Sequence, residues 1–194
     1  HAGATTLLQA VESIKPNMLI GVSGIPGTFD ETVVRAMGKL NQHPVIFALS
    51  NPTSKGECNA EQAYGWTDGR AVFASGSPFP DFDLEGRIFK PGQGNNAYIF
   101  PGVGLGLISS GAQRVTDEMF FVAAKVLAGI VTDQDLSVGR VYPDLQRIRE
   151  VSAAIAEAVA KVVFDRGLTT MLRPENLGER VQALMYDPSY VDYV

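Results

Sequence analysis

A chain of 194 residues that is 45% hydrophobic and 19% charged can bury the core of one ordinary domain, so disorder is excluded as its main character. With 16 basic and 21 acidic side chains its formal net charge is −5, which excludes a broad electrostatic attraction to nucleic acid or to an anionic membrane. Cys58 is the one cysteine, and with only His1 and His43 it builds neither a disulfide framework nor a Cys/His zinc site; a single thiol suits a reducing compartment.

No run approaches the roughly 18 to 20 apolar residues of a membrane helix, and no targeting pattern opens the chain. The reading is a soluble, cytoplasmic domain whose start, lacking Met, looks internal. Leu7, Leu8, Val11 and Ile14, behind Thr5 and Thr6 as caps and before Pro16, predict a short amphipathic helix. Residues 18–22 form a compact apolar run that predicts a strand buried on both faces of a parallel sheet. Thr28 and Glu31 read as a capping box for a helix with Val33, Val34, Met37 and Leu40 on its inner stripe. The pattern repeats with strands at 45–49 and 71–75 around a polar helix at 59–66. Alternation of this kind predicts an α/β fold with a mostly parallel, Rossmann-like sheet and flanking helices.

Residues 1–75 are thus βα repeats. Residues 76–111 read as a Gly/Asn-rich loop region, with an exposed turn or hairpin near Asp81, Asp83 and Glu85 and a strand-like run at 97–100. Residues 112–167 predict two long helices. The first is capped by Thr116 and buried through Phe120, Phe121, Ala124, Leu127 and Val131; the second carries Leu145, Ile148, Val151, Ile155, Val159 and Val162 on one face. Residues 168–194, with Met171, Leu172, Met185, Tyr186, Tyr190 and Tyr193, read as a tail that docks on this subunit or another.

Ligands of open α/β sheets sit beyond the carboxyl ends of the strands. Three small polar loops occupy that place, at 23–27, 50–54 and 75–79. Asn51, held off the α region by Pro52, either starts a loop as an Asx turn or offers its carboxamide, donor and acceptor both, to a carboxylate or a nicotinamide amide. The stretch 91–96 adds Asn95 and Asn96 beside flexible glycines, able to place neutral donors on a small anion. Gly102, Gly104 and Gly106 lack the spacing of a dinucleotide fingerprint and read as close helix packing. The acidic triplet lacks the pattern of a calcium loop, Cys58 reads as a small buried side chain, and His43 lies on a connection. No acid–base pair stands out; Lys90 and Tyr98 are the only proton-transferring groups near the Asn loop.

Taken together and in order, Ser50-Asn51-Pro52-Thr53-Ser54, Ala74-Ser75-Gly76-Ser77-Pro78-Phe79 and Pro91-Gly92-Gln93-Gly94-Asn95-Asn96 make the sequence resemble the malic enzymes. The resemblance runs from residue 19 to about residue 143 and is similar to the C-terminal part of their NAD(P)-binding domain. It implies oxidation of L-malate by NAD or NADP, decarboxylation assisted by Mg or Mn, and release of pyruvate. It implies that Asn51 contacts both cofactor and malate, that one or both of Asn95 and Asn96 hold the substrate carboxylate, and that Ser23, Gly24, Ser75 and Gly76 lie along the cofactor.

It further implies that the tyrosine acid, lysine base, metal ligands and Gly-rich pyrophosphate loop precede residue 1. The chain would then be a Rossmann-like domain missing its N-terminal βαβ half, inactive alone and part of a dimer or tetramer, with the mitochondrial matrix or a plastid as alternative locations. A non-catalytic nucleotide-binding or subunit-assembly module is the competing reading, and an unrelated NAD-dependent dehydrogenase domain a weaker one.

Overall fold

The computed structural model describes residues 3–190, so His1 and Tyr193 lie outside the described residues. In chain order it contains α1 (Leu7–Ile14), β1 (Met18–Gly21), α2 (Glu31–Leu40), β2 (Val45–Ala48), α3 (Ala60–Gly65) and β3 (Val72–Ser75). A hairpin of β4 (Phe82–Leu84) and β5 (Arg87–Phe89), then β6 (Gly92–Gln93), follow. The helices α4 (Phe100–Ser110), α5 (Asp117–Ile130), α6 (Asp133–Ser137), α7 (Ile148–Asp165) and α8 (Leu177–Leu184) complete it. The chain divides into two compact units, one running to Asn95 and including Val131–Pro143, the other comprising Asn96–Ile130 and the chain from Asp144 onward.

The first unit is the α/β part. Its four strands are all parallel in the order β1-β2-β3-β6, and their register aligns Gly21, Ala48, Ser75 and Gln93 in one row at the carboxyl rim. Ile46, Phe73, Tyr64 and Phe89 are fully or almost fully buried, and the Tyr64 ring stacks on Phe89 with centroids 4.2 Å apart. Burying each such side chain stabilises the fold by about 1.5–3 kcal/mol. On α1 and α2, Val11, Val33 and Met37 pack together with Leu19.

Several local expectations change here. Strand β1 is not buried on both faces: burial alternates, with Leu19 packed against α1 and α2 while Met18 and Ile20 on the other face stay 45% and 53% exposed. The cap of α2 is Asp30, whose carboxylate accepts from Val33 N–H at 2.9 Å, whereas Thr28 donates its hydroxyl to the Ile25 carbonyl. Glu31 pairs instead with Arg35 one turn on, and Leu40 at the end of α2 is partly exposed. Thr6 caps α1 and Asn59 forms a reciprocal box with Gln62 on α3, as their types favour. Arg70 closes the other end of α2 by donating to the carbonyls of Gly38, Asn41 and Gln42. The acidic triplet lies in and beside the β4–β5 hairpin, where the Asp83 carboxylate accepts from Gly86 N–H and Glu85 and Gly86 take the positive φ of the tight turn.

The second unit is helical. The stretch 97–100 is a short 3-10 turn entering α4 rather than a strand, so residues 76–111 are far from uniform loop. Helix α4 forms because Gly102 and Gly106 admit α7 against its backbone: a Cβ on Gly102 would lie 2.7 Å from Ile155 Cβ, and one on Gly106 2.7 Å from the Ala156 carbonyl. Val151, Ile155 and Val159 of α7 are fully buried, while Leu145 precedes α7 in a 3-10 turn and is exposed. Helix α5 turns a different stripe inward from the expected one. Met119, Ala123 and Leu127 are buried at i, i+4, i+8, and Phe120, Phe121 and Ala124 face outward, because the small Ala123 lets this face approach α7.

The Thr116 hydroxyl is buried without a partner and so does not cap α5; nothing in the structure explains it. Helix α6 was not expected from the sequence. The tail folds back as α8, with Val181 buried and Arg180 donating to the Ser109 carbonyl at 2.6 Å, but Leu172, Tyr186 and Tyr190 remain largely exposed.

Candidate functional site

The carboxyl rim of the parallel sheet gathers the polar loops. Directly beyond the row Gly21, Ala48, Ser75 and Gln93 come Ser23 and Gly24, Ser50 and Asn51, Gly76 and Ser77, and Gly94 and Asn95. Hydrogen bonds join neighbouring loops: Gly24 N–H donates to Ser50 Oγ at 2.9 Å, Ser77 Oγ donates to Asn51 Oδ1 at 2.8 Å, and Gly94 N–H donates to the Ser75 carbonyl at 2.8 Å. Gln93 Nε2 donates to the Gly76 carbonyl at 3.1 Å, tying the fourth strand to the third loop.

Two glycines are dictated by place. Gly24 has φ +67°, the left-handed region that L side chains rarely enter. At Gly76 a Cβ would lie 2.2 Å from the Leu49 carbonyl oxygen and 2.9 Å from Asn51 Oδ1, so the third loop presses on the second with no room for a side chain.

Asn51, exposed and preceding a cis peptide to Pro52, holds Ser77 rather than its own backbone. The Asx-turn reading is therefore set aside; Ser77 takes one of the two lone pairs of the Asn51 carboxamide oxygen. Its oxygen is engaged by Ser77; its amide N–H groups have no partner among the described residues. Asn95 is exposed just past Gly94 and emerges two strands from Asn51, a spacing of roughly 10 Å for adjacent-strand separations of this kind. Asn96, also exposed, opens the second unit in the 3-10 turn Asn96–Tyr98 and belongs to that unit's description.

Beneath the first two loops lies Glu57, fully buried and not singled out by the sequence. Its Oε1 accepts from Ser23 N–H at 2.8 Å, Ser23 Oγ at 2.9 Å and Ser50 Oγ at 2.5 Å, while Oε2 takes Ser50 N–H at 3.3 Å. Burial by itself would raise its pKa, but the hydrogen bonds from Ser50 and Ser23 outweigh that and hold it below the usual carboxylate value. The Glu57 carbonyl also accepts from Phe29 N–H, so the loop returning to α2 is tied down as well. The one sequence signal for this was an acidic residue set among small loop residues beside the buried Cys58.

Among the described residues, no group of three or more His, Cys, Asp or Glu is placed to hold a metal ion; Asp81 pairs with Lys90 at 3.5 Å. The residues present do not fit a divalent cation.

A parallel sheet with small polar loops at its carboxyl rim and helices beside it is the Rossmann-like class of nucleotide-binding domain. The sequence matches the family description "Malic enzyme, NAD binding domain" over residues 1–164, and the chain belongs to that family. It is 51% identical over 194 residues to the NADP-dependent malic enzyme of Populus trichocarpa, covering all of this chain and 33% of that one. It is 49% identical over 191 residues to the mitochondrial NAD-dependent malic enzyme of Ascaris suum, covering 98% of this chain and 30% of the relative. Among solved structures, malic enzyme from Pyrococcus horikoshii superposes with TM-score 0.66 at 25% identity over 91% of this chain and 35% of that chain. The Entamoeba histolytica malic enzyme superposes with TM-score 0.70 at 20% identity, covering 92% of this chain and 32% of that one, which speaks to the fold alone. The chain spans about a third of the length of the curated relatives it matches.

Proposed function

We propose that this chain is part of a malic enzyme and supplies a portion of the surface on which L-malate is oxidised and decarboxylated to pyruvate and CO2 with reduction of NAD or NADP. The single observation that supports this reading is the carboxyl rim, where Ser77 holds the oxygen of Asn51 while its amide N–H groups have no partner among the described residues. When bound, the dinucleotide supplies the hydride acceptor. Asn51 donates from its amide to the nicotinamide carboxamide or to malate, and Asn95 and Asn96 hold the substrate carboxylate by neutral hydrogen bonds. Ser23, Gly24, Ser75 and Gly76 line the cofactor's path, their close approach permitted by the two glycines. Neutral donors suit this place, since they orient an anionic substrate without competing with it for the cationic nicotinamide, whose positive charge is lost as the ring accepts hydride.

Mg or Mn, acting as the electron sink for decarboxylation, is held by groups other than the described residues. The chain by itself is expected not to turn over malate. We assign it to a homo-oligomer, supported by Leu172, Tyr186 and Tyr190, which are 93%, 81% and 99% exposed. Its compartment is read as cytoplasmic; relatives include chloroplastic and mitochondrial forms, and no helix among the described residues is long and apolar enough to cross a membrane.

The test is kinetic. In a complete malic enzyme carrying this segment, Asn51→Ala, Asn95→Ala and Asn96→Ala are each expected to lower kcat/KM for malate by the equivalent of about 1–3 kcal/mol with little change in stability. Parent-like kinetics in all three variants would sink the assignment.

A further inference from the structure

The buried carboxylate beneath the rim has no place in the reaction just described, and yet the fold gives up a side chain to admit it. Gly21 ends β1, and a Cβ there would lie 2.5 Å from Glu57 Cδ and 2.6 Å from Glu57 Cγ. An apolar side chain of similar volume fills a core as well as a charged one does, and an ionised group must recover its lost hydration through hydrogen bonds. Glu57 does so with four donors from Ser23 and Ser50, its own backbone N–H assisting. Those two residues sit on separate loops, behind β1 and behind β2, and each immediately precedes a residue assigned to the rim: Gly24 and Asn51. Ser50 Oγ, while donating to Glu57, also accepts from Gly24 N–H, so one carboxylate sets the spacing of both loops.

We propose that Glu57 is the positioning residue of the dinucleotide and malate rim, clamping Ser23 to Ser50 so that Gly24 and Asn51 are held in the one relative geometry that binding requires. The proposal rests on the function assigned above. Glu57 touches neither cofactor nor substrate; it acts through the two serines. Its isostere Glu57→Gln keeps the volume but removes the charge and sets an NH2 group against at least the Ser50 N–H donor, so the clamp is weakened. Glu57→Asp keeps the charge on a shorter stem and restores it in part.

The experiment compares the parent chain, Glu57→Gln, Glu57→Asp and Ser50→Ala by residue-resolved amide hydrogen exchange, alongside titration with NADH and NADPH. The expected result is that exchange at Ser23, Gly24 and Ser50 rises at least tenfold in Glu57→Gln while Phe73 and Tyr64 keep parent rates. Dinucleotide affinity is expected to fall at least tenfold, with Glu57→Asp intermediate in both. Exchange that rises evenly along the chain, or rim amides that keep parent protection, overturns the clamp. Should Glu57→Gln not fold, Ser50→Ala decides: faster exchange confined to Ser23, Gly24 and Ser50 with weakened binding supports the proposal, and parent behaviour in both overturns it. A parent chain that binds neither dinucleotide refutes the cofactor reading and the positioning role with it, while the exchange pattern still reports separately whether the clamp exists.

Discussion

Gly21 and Glu57 are fitted to each other: the space that a β-carbon on Gly21 would fill is taken by the Glu57 side chain, at 2.5 Å from its carboxyl carbon. Because that carboxylate is fixed by four hydrogen bonds, it cannot swing aside as a free surface side chain would.

Gly21→Ala is therefore expected to destabilise the chain by about 1–3 kcal/mol, the usual cost of overpacking, and to loosen the Ser23 and Ser50 loops at the same time. Urea unfolding measures the first effect. A midpoint equal to that of the parent would mean that the carboxylate relocates freely.

The glycines of α4 separate packing from propensity. Gly106→Ala places a Cβ 2.7 Å from the Ala156 carbonyl and 2.8 Å from Val159 Cβ, and it is expected to cost about 1–3 kcal/mol. Gly104 has nothing within 4 Å of its absent Cβ, so Gly104→Ala is expected to stabilise by about 0.5–1 kcal/mol through helix propensity alone. Thermal unfolding of the two variants should move in opposite directions; a common sign would contradict the packing described.

Acid should weaken the first unit in a defined window. The Glu57 pKa lies below its ordinary value near 4.5, burial opposing and the Ser50 and Ser23 hydrogen bonds prevailing, so the folded state releases this proton more readily than the unfolded chain does. The stability it contributes is present in full above the unfolded value and is lost as pH falls through the folded one. Asp30, held low by Thr32 and Val33, acts with the same sign. The urea midpoint is expected to be level from pH 7 to about 5 and to fall below about 4.5; a decline that starts near neutrality would assign the acid limb to other groups.

Cys58 should be inert in the native state. It is 5% exposed, and burial, aided by the neighbouring Glu57 charge, pushes its thiol up to about 12. Iodoacetamide at pH 8 is expected to leave the folded chain unlabelled and to label it at once in urea. Native labelling at the rate of an exposed thiol would show that the α3 end of the core opens.

Much of the architecture was legible in residue patterns because it is local. Apolar runs of about five residues between capped helices located β1, β2 and β3, and Thr6 and Asn59 marked helix starts by their own hydrogen-bonding chemistry. Loop composition likewise located Ser23, Ser50, Asn51 and Ser77 behind strand ends, while Ser75 is the last residue of β3. On α5 the expected inner residues Phe120, Phe121 and Ala124 face outward while the expected Leu127 is buried with Met119 and Ala123, because both stripes are helically spaced and hydrophobicity favours the phenylalanines. Which stripe turns inward depends on the packing against α7, a helix elsewhere in the chain.

The chain's own sequence determined that strands and helices alternate and that small polar loops follow the strands of the parallel sheet. The tertiary structure alone decided that Asn51 gives its oxygen to Ser77, and that an acid 34 residues from Ser23 becomes the hydrogen-bond hub of two loops. The reason is physical: register across a parallel sheet brings together segments separated by dozens of residues, and a partner at that range leaves no periodic trace in the sequence.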